Sequence, residues 1–156
     1  VKGKKTLATI GYEATTVDRF LETLTNAGVN LLVDVRAVAS SRRPGFAKTS
    51  LAANLAGVGI GYVHLRRLGT PSEGRVAARA GKHAAMREIF LAHMQTEEAQ
   101  DELRNLGDIV AGEKKVCILC FEADPEHCHR TMVAEALGQL MPLEVQDLRP
   151  GREEEA

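Results

Sequence analysis

The chain has 156 residues, 44% of them hydrophobic and 26% charged, with a net charge of −1. That length and composition suit one globular domain with its own core and exclude a mostly disordered chain. Near-neutral charge excludes a global field that would recruit nucleic acid or an anionic membrane, and no apolar run is long enough for a membrane-spanning helix.

Thr6–Ile10 reads as a first strand, ending at Gly11-Tyr12. Thr15 with Asp18 matches a capping box, and Val17, Phe20, Leu21, Leu24 and Ala27 follow at helical spacing, with Gly28 as the stop. Leu31–Val35 is an apolar run interrupted by Asp34, as expected of a buried parallel strand. Ala37–Lys48 reads as a loop, because Ser40-Ser41-Arg42-Arg43-Pro44-Gly45-Phe46 is rich in turn formers. A short helix carries Leu51 and Leu55, and Gly61–Leu65 is a third strand.

Leu68–Gly81, with Gly69, Pro71, Gly74 and Gly81, is expected to be irregular and flexible. One helix then carries Met86, Ile89, Phe90 and Met94, and another Leu103, Leu106 and Val110. Lys115–Phe121 is a buried strand. Asp124-Pro125 suits a helix start, with Val133, Ala136, Leu137 and Leu140 as the apolar face. Leu143–Leu148 is the last strand. Strands alternating with helices predict a three-layer α/β/α fold with a mainly parallel sheet, residues 1–150 forming one domain and 151–156 an acidic frayed tail. The basic segment Val1–Lys5 is followed by no signal-peptide core, so a cytoplasmic location is expected.

Ligands of parallel sheets bind beyond the carboxyl ends of the strands. The polar residues of this chain gather at those ends: Tyr12 and Glu13, Asp34 and Arg36, His64 with Arg66 and Arg67, Glu122, and then Cys128, His129 and Arg130. Asp34 and Arg36, two apart, share a face, as an ion pair or as a carboxylate orienting an arginine toward a ligand. Arg42 and Arg43 are either solvated charges or an anion clamp on a mobile loop. His64 is either a hydrogen-bonded core histidine or a proton carrier.

The stretch from Cys120 to Arg130 admits several chemistries. Cys117, Cys120, His127, Cys128 and His129 are all zinc-ligand types. Cys117 and Cys120, however, are three apart on a strand and point to opposite faces, so no zinc site using both is expected. Cys128 near a helix N-terminus is a candidate nucleophile, a redox partner of Cys120, or a small buried apolar group. Glu122 could act as acid or base. An anion held at that helix start by Arg130 would need no thiolate.

Thr9-Ile10-Gly11-Tyr12, Asp34-Val35-Arg36, Ser41-Arg42-Arg43-Pro44-Gly45-Phe46, Tyr62-Val63-His64-Leu65 with Leu68-Gly69, and Cys120-Phe121-Glu122 followed by Pro125-Glu126-His127-Cys128-His129-Arg130 together resemble the family called domain of unknown function 488. The resemblance runs from Thr9 to about Leu140. Arg66-Arg67 departs from the shorter, proline-containing connection usual there. The resemblance implies an α/β fold and a shared polar site at these positions, and implies no activity. Leu31–Arg36 also resembles the early strand of rhodanese-like domains, although the longer loop after Cys120 does not reproduce their catalytic turn.

The expectation drawn is an enzyme acting on a small anionic or nucleotide-like substrate, with no cofactor, no metal and no membrane partner. Tyr12, Asp34, Arg36, Arg42 and Arg130 would bind substrate. Glu122, Cys128, His129 and His64 would carry the chemistry. The alternatives are a non-catalytic nucleic-acid or ligand-binding module, in which Arg42, Arg43, Arg66 and Arg67 meet phosphates, and rhodanese-like sulfur transfer through a reactive cysteine.

Overall fold

The structure is a computed structural model and describes residues 4–151. The residues Val1–Gly3 and, apart from Gly151, the expected tail lie outside the described residues.

Five strands form one all-parallel sheet in the order β3-β2-β4-β1-β5, where β1 is Lys5–Gly11, β2 Leu31–Asp34, β3 Gly61–His64, β4 Val116–Cys120 and β5 Leu143–Leu148. Among the described residues, six α-helices cover it: α1 Val17–Asn26, α2 Lys48–Ala56, α3 Ser72–Arg79, α4 His83–Met94, α5 Glu97–Ala111 and α6 His129–Gly138.

Side-chain alternation divides the interior into two cores. Leu7, Leu31, Val33, Val116, Ile118 and Cys120 pack with α4, α5 and α6 on one face. Ala8, Ile10, Leu32, Cys117 and Leu119 pack with α1 and α2 on the other. The central strand β4 is buried on both faces, and each large apolar side chain so enclosed stabilises the fold by about 1.5–3 kcal/mol. The expected three layers are therefore present.

Helix starts follow their capping residues. Thr16 caps α1 by accepting from the Arg19 amide, and Thr96 caps α5 by accepting from the Ala99 amide. The cap expected at Thr15 thus falls at Thr16, as a simple N-cap without the reciprocal half of a box, since the Arg19 side chain at the third helical position has no acceptor. The Thr15 hydroxyl donates to the Gly151 carbonyl (2.6 Å) instead.

Two segments depart further from expectation. Leu68–Gly81 contains the end of a 3-10 turn, Arg66–Leu68, and the helix α3. Gly74 acts there by close packing rather than as a breaker: a Cβ on it would lie 2.5 Å from Thr70 Cγ2 and 3.3 Å from Ile89 Cγ2. Asp124-Pro125 opens a 3-10 turn, Pro125–His127, with the Asp124 side chain accepting from the Glu126 amide (3.0 Å). Helix α6 starts later, with Cys128 at its N-cap. No described helix is long and apolar enough to cross a membrane.

The connections leaving β1 and β2 run through α1 and α2 on one face, while those leaving β3 and β4 run through α3–α6 on the other. Chain leaving the adjacent strands β2 and β4 therefore diverges to opposite faces, which opens a crevice at their carboxyl ends.

Candidate functional site

A cavity of about 350 Å³ occupies this crevice. Tyr12 comes from the end of β1, Arg36, Ala37, Val38 and Ser40 from the end of β2, and Cys120, Phe121 and Glu122 from the end of β4. Arg75 and Arg79 enter from α3 and His129 from the start of α6.

The β2 end is organised around a buried ion pair. Arg36 Nη2 lies 2.7 Å from Asp34 Oδ2 and Arg36 Nε 2.9 Å from Oδ1, and Oδ1 also accepts from the Arg36 amide (3.0 Å). The Tyr62 hydroxyl donates to Asp34 Oδ2 (2.6 Å). Arg36 Nη1 donates to the Phe46 carbonyl (2.8 Å) and the Tyr12 hydroxyl (3.2 Å), so one guanidinium holds the returning end of the 37–47 loop against β1. Burial works against the Arg36 charge, but hydrogen bonds to Asp34 and its negative charge outweigh that and hold the guanidinium above its ordinary range. Burial, reinforced by the hydrogen bond to Asp34, keeps the Tyr62 phenol protonated well past the usual tyrosine range. His64 stands behind this pair rather than in the cavity: its Nε2 is 2.7 Å from the Arg36 carbonyl oxygen.

Aromatic rings wall the β1 side. Tyr12 stacks on Phe46 with centroids 4.6 Å apart and meets Phe121 edge-on at 5.3 Å. The loops after β1 and β4 are stitched together by the Glu13 amide donating to the Phe121 carbonyl (2.8 Å) and the Ala123 amide donating to Glu13 Oε1 (3.0 Å).

Arg130 is fully buried and does not line the cavity. Its Nε donates to Thr9 Oγ1 (3.2 Å), Nη1 to the Glu122 carbonyl and to Cys120 Sγ (3.4 Å), and Nη2 to the Ala123 carbonyl (3.3 Å). It fastens the β4 loop to β1 from beneath, and burial lowers its proton affinity, with Asp147 and Glu122 opposing. Gly11 makes room for this: a Cβ there would fall on the Glu122 carbonyl oxygen and lie 2.9 Å from Arg130 Nη1. Arg42 is exposed and also stands outside the cavity lining.

The floor carries sulfur. Cys120 and Cys128 are joined as a disulfide, with Cα atoms 7.2 Å apart, and His129 Nδ1 lies 3.9 Å from Cys128 Sγ. The other ring nitrogen, Nε2, is 2.8 Å from the Val35 carbonyl oxygen. A carbonyl only accepts, so Nε2 carries the proton and Nδ1 presents its lone pair to the sulfurs. Burial is the main cause that pushes the His129 pKa down to about 4, so the ring is neutral at physiological pH. Cys117 is free and buried in the opposite core, as strand alternation requires, and burial pushes its thiol far above the ordinary range.

The structure thus brings Tyr12, Arg36, Glu122 and His129 to the cavity, with Cys128 bonded to the Cys120 of its floor. Asp34, His64 and Arg130 stand behind it. Arg75 and Arg79 are not among the residues that sequence reasoning singles out, because their segment reads as loop. An i, i+4 arginine pair after the capable starter Pro71-Ser72 is the signal that could have found them. Comparison with curated proteins finds no match. The family model described as Domain of unknown function DUF488 matches residues 16–137, and the chain belongs to that family.

Proposed function

We propose that the cavity binds a small anionic or nucleotide-like substrate and that the protein is an enzyme acting on it. One observation carries this reading: Arg75 and Arg79, one turn apart on α3, line a cavity whose floor holds Cys120 and His129. Two guanidinium groups on one helical face make a fork for an oxyanion. Arg75 is preoriented, because its Nη1 donates to the Thr70 carbonyl (2.9 Å) and leaves the remaining N–H groups for a ligand. Arg36, its charge balanced by Asp34, keeps one Nη2 N–H for a ligand at the far wall, and the exposed Phe121 ring supplies flat apolar surface suited to a ring or base.

In this division of labour Arg75, Arg79 and Arg36 hold the anion. Glu122 and His129 handle protons, and the Cys120–Cys128 pair supplies sulfur chemistry beside them. Asp34, His64 and Arg130 position these groups without touching substrate. The exposed Arg42, Arg66 and Arg67 are left outside the site, which favours a small ligand over a nucleic-acid strand.

The test is calorimetric titration with inorganic phosphate and adenosine monophosphate. A hydrogen bond to a charged group contributes about 1.5–3 kcal/mol, so Arg75→Gln or Arg79→Gln should each weaken binding roughly 10- to 100-fold. Unchanged affinity in both variants, or no saturable binding to the wild-type protein, would remove the proposal.

A further inference from the structure

We propose that, once the Cys120–Cys128 disulfide is reduced, Cys120 Sγ, Cys128 Sγ and His129 Nδ1 form a three-ligand site for a thiophilic divalent cation, zinc being the natural match, with the fourth position open to the cavity. The three ligand atoms lie within 4.8 Å of one another, and all three residues are buried. Two sulfurs and one imidazole are a zinc-type donor set, and three protein ligands with one open position is the arrangement of a catalytic rather than a structural zinc.

The surroundings match that assignment in three respects. His129 presents Nδ1 because Nε2–H is committed to the Val35 carbonyl (2.8 Å), and this backbone bond is what fixes the tautomer and ring orientation of metal-ligating histidines. Arg130, buried and donating to Cys120 Sγ (3.4 Å), supplies positive charge that favours a thiolate there. The Cα atoms of Cys120 and Cys128 are 7.2 Å apart, beyond the usual disulfide span of about 4.4–6.8 Å. Two metal–sulfur bonds of about 2.3 Å accommodate the wider separation.

The chemistry balances. An external dithiol delivers two electrons and two protons to the disulfide and is itself oxidised, leaving two thiols. Metal binding then releases both thiol protons to solvent. Cys117 takes no part, since it faces the opposite core.

The test uses the full chain, reduced and freed of metal by chelation, titrated with cobalt(II) and then zinc(II) without any anionic ligand. The expected result is one equivalent of cobalt bound, with thiolate-to-cobalt charge-transfer bands and the visible spectrum of a tetrahedral site, displaced by one equivalent of zinc. Cys117→Ala should give the same spectrum. Cys128→Ser, which leaves Cys120 as the one thiolate of the set, should lose about half or more of the charge-transfer intensity and weaken zinc binding more than about 100-fold, beyond the 10- to 100-fold that outer-shell changes cost. His129→Gln, which keeps a polar side chain at the helix start, should alter the visible bands. Circular dichroism of each variant checks folding. Absence of cobalt–thiolate bands in the reduced wild-type protein, or their persistence at undiminished intensity in Cys128→Ser, overturns the site. Because no anion is present, this result is separable from the phosphate titration: either can fail while the other stands.

Discussion

Replacing Asp34 with alanine would leave the Arg36 guanidinium buried without its counter-charge. Asp34 is fully buried and Arg36 is 6% exposed, so solvent cannot take over. The substitution removes the acceptors of Arg36 Nε and Nη2, of the Arg36 amide and of the Tyr62 hydroxyl. Breaking a buried pair by deleting one partner costs about 3–5 kcal/mol. For a chain of this length each kcal/mol corresponds to roughly 2–4 °C in Tm, so the melting temperature should fall by roughly 6–20 °C. Urea unfolding followed by circular dichroism measures the free energy, and a thermal melt the shift. The double variant Asp34→Ala/Arg36→Met, which removes the stranded charge, should recover part of the loss. Because Arg36 also holds the Phe46 carbonyl and the Tyr12 hydroxyl, the cavity wall should loosen and phosphate affinity fall with stability. A loss under about 1 kcal/mol, the size of an exposed ion pair, would refute the claim that this pair organises the β2 end.

Gly11→Ala should destabilise the protein by at least about 2 kcal/mol, read by urea unfolding, because the added methyl displaces the Glu122 carbonyl from Arg130; a neutral effect would contradict the close approach. Cys117 should resist alkylation in the folded, reduced protein and react only after denaturation, as mass spectrometry of the labelled peptides will show. In the disulfide-bonded protein His129 has a folded pKa of about 4, below the unfolded value of about 6.5. The unfolded chain therefore binds more protons between those values. The contribution is present in full above about pH 6.5 and is lost as pH falls toward 4, amounting to about 3 kcal/mol. His129→Gln should flatten that part of the pH–stability profile.

Strand positions are legible in the sequence because their signal is local. Apolar runs such as Leu31–Val35 and Lys115–Phe121 mark β2 and β4, and two-residue alternation along β4 is enough to place Cys117 and Cys120 on opposite faces. The gathering of Tyr12, Arg36 and Glu122 follows from parallel strands alone. Helix α3 is not legible, since Gly74 and the flanking Gly69 and Gly81 read as loop punctuation while the packing of Gly74 on Thr70 and Ile89 is a tertiary matter. The place of Arg130 is hidden for a related reason: a charged residue at a helix start reads as an anion ligand, and only the fold reveals that the Thr9 hydroxyl and two loop carbonyls occupy it. The meeting of Cys120, Cys128 and His129 joins a strand end to a helix start across a turn, so it follows from the path of the chain between them and not from any local period.

The central claim is that the crevice at the ends of β1, β2 and β4 is where an anionic ligand sits. Amide chemical-shift mapping of the isotope-labelled protein during titration with adenosine monophosphate tests it most directly. The account predicts saturable shifts clustered at Tyr12, Val38, Ser40, Arg75, Arg79, Phe121 and Glu122, abolished together in the Arg75→Gln/Arg79→Gln variant. Shifts centred instead on Arg42, Arg66 and Arg67, or none that saturate, would contradict it.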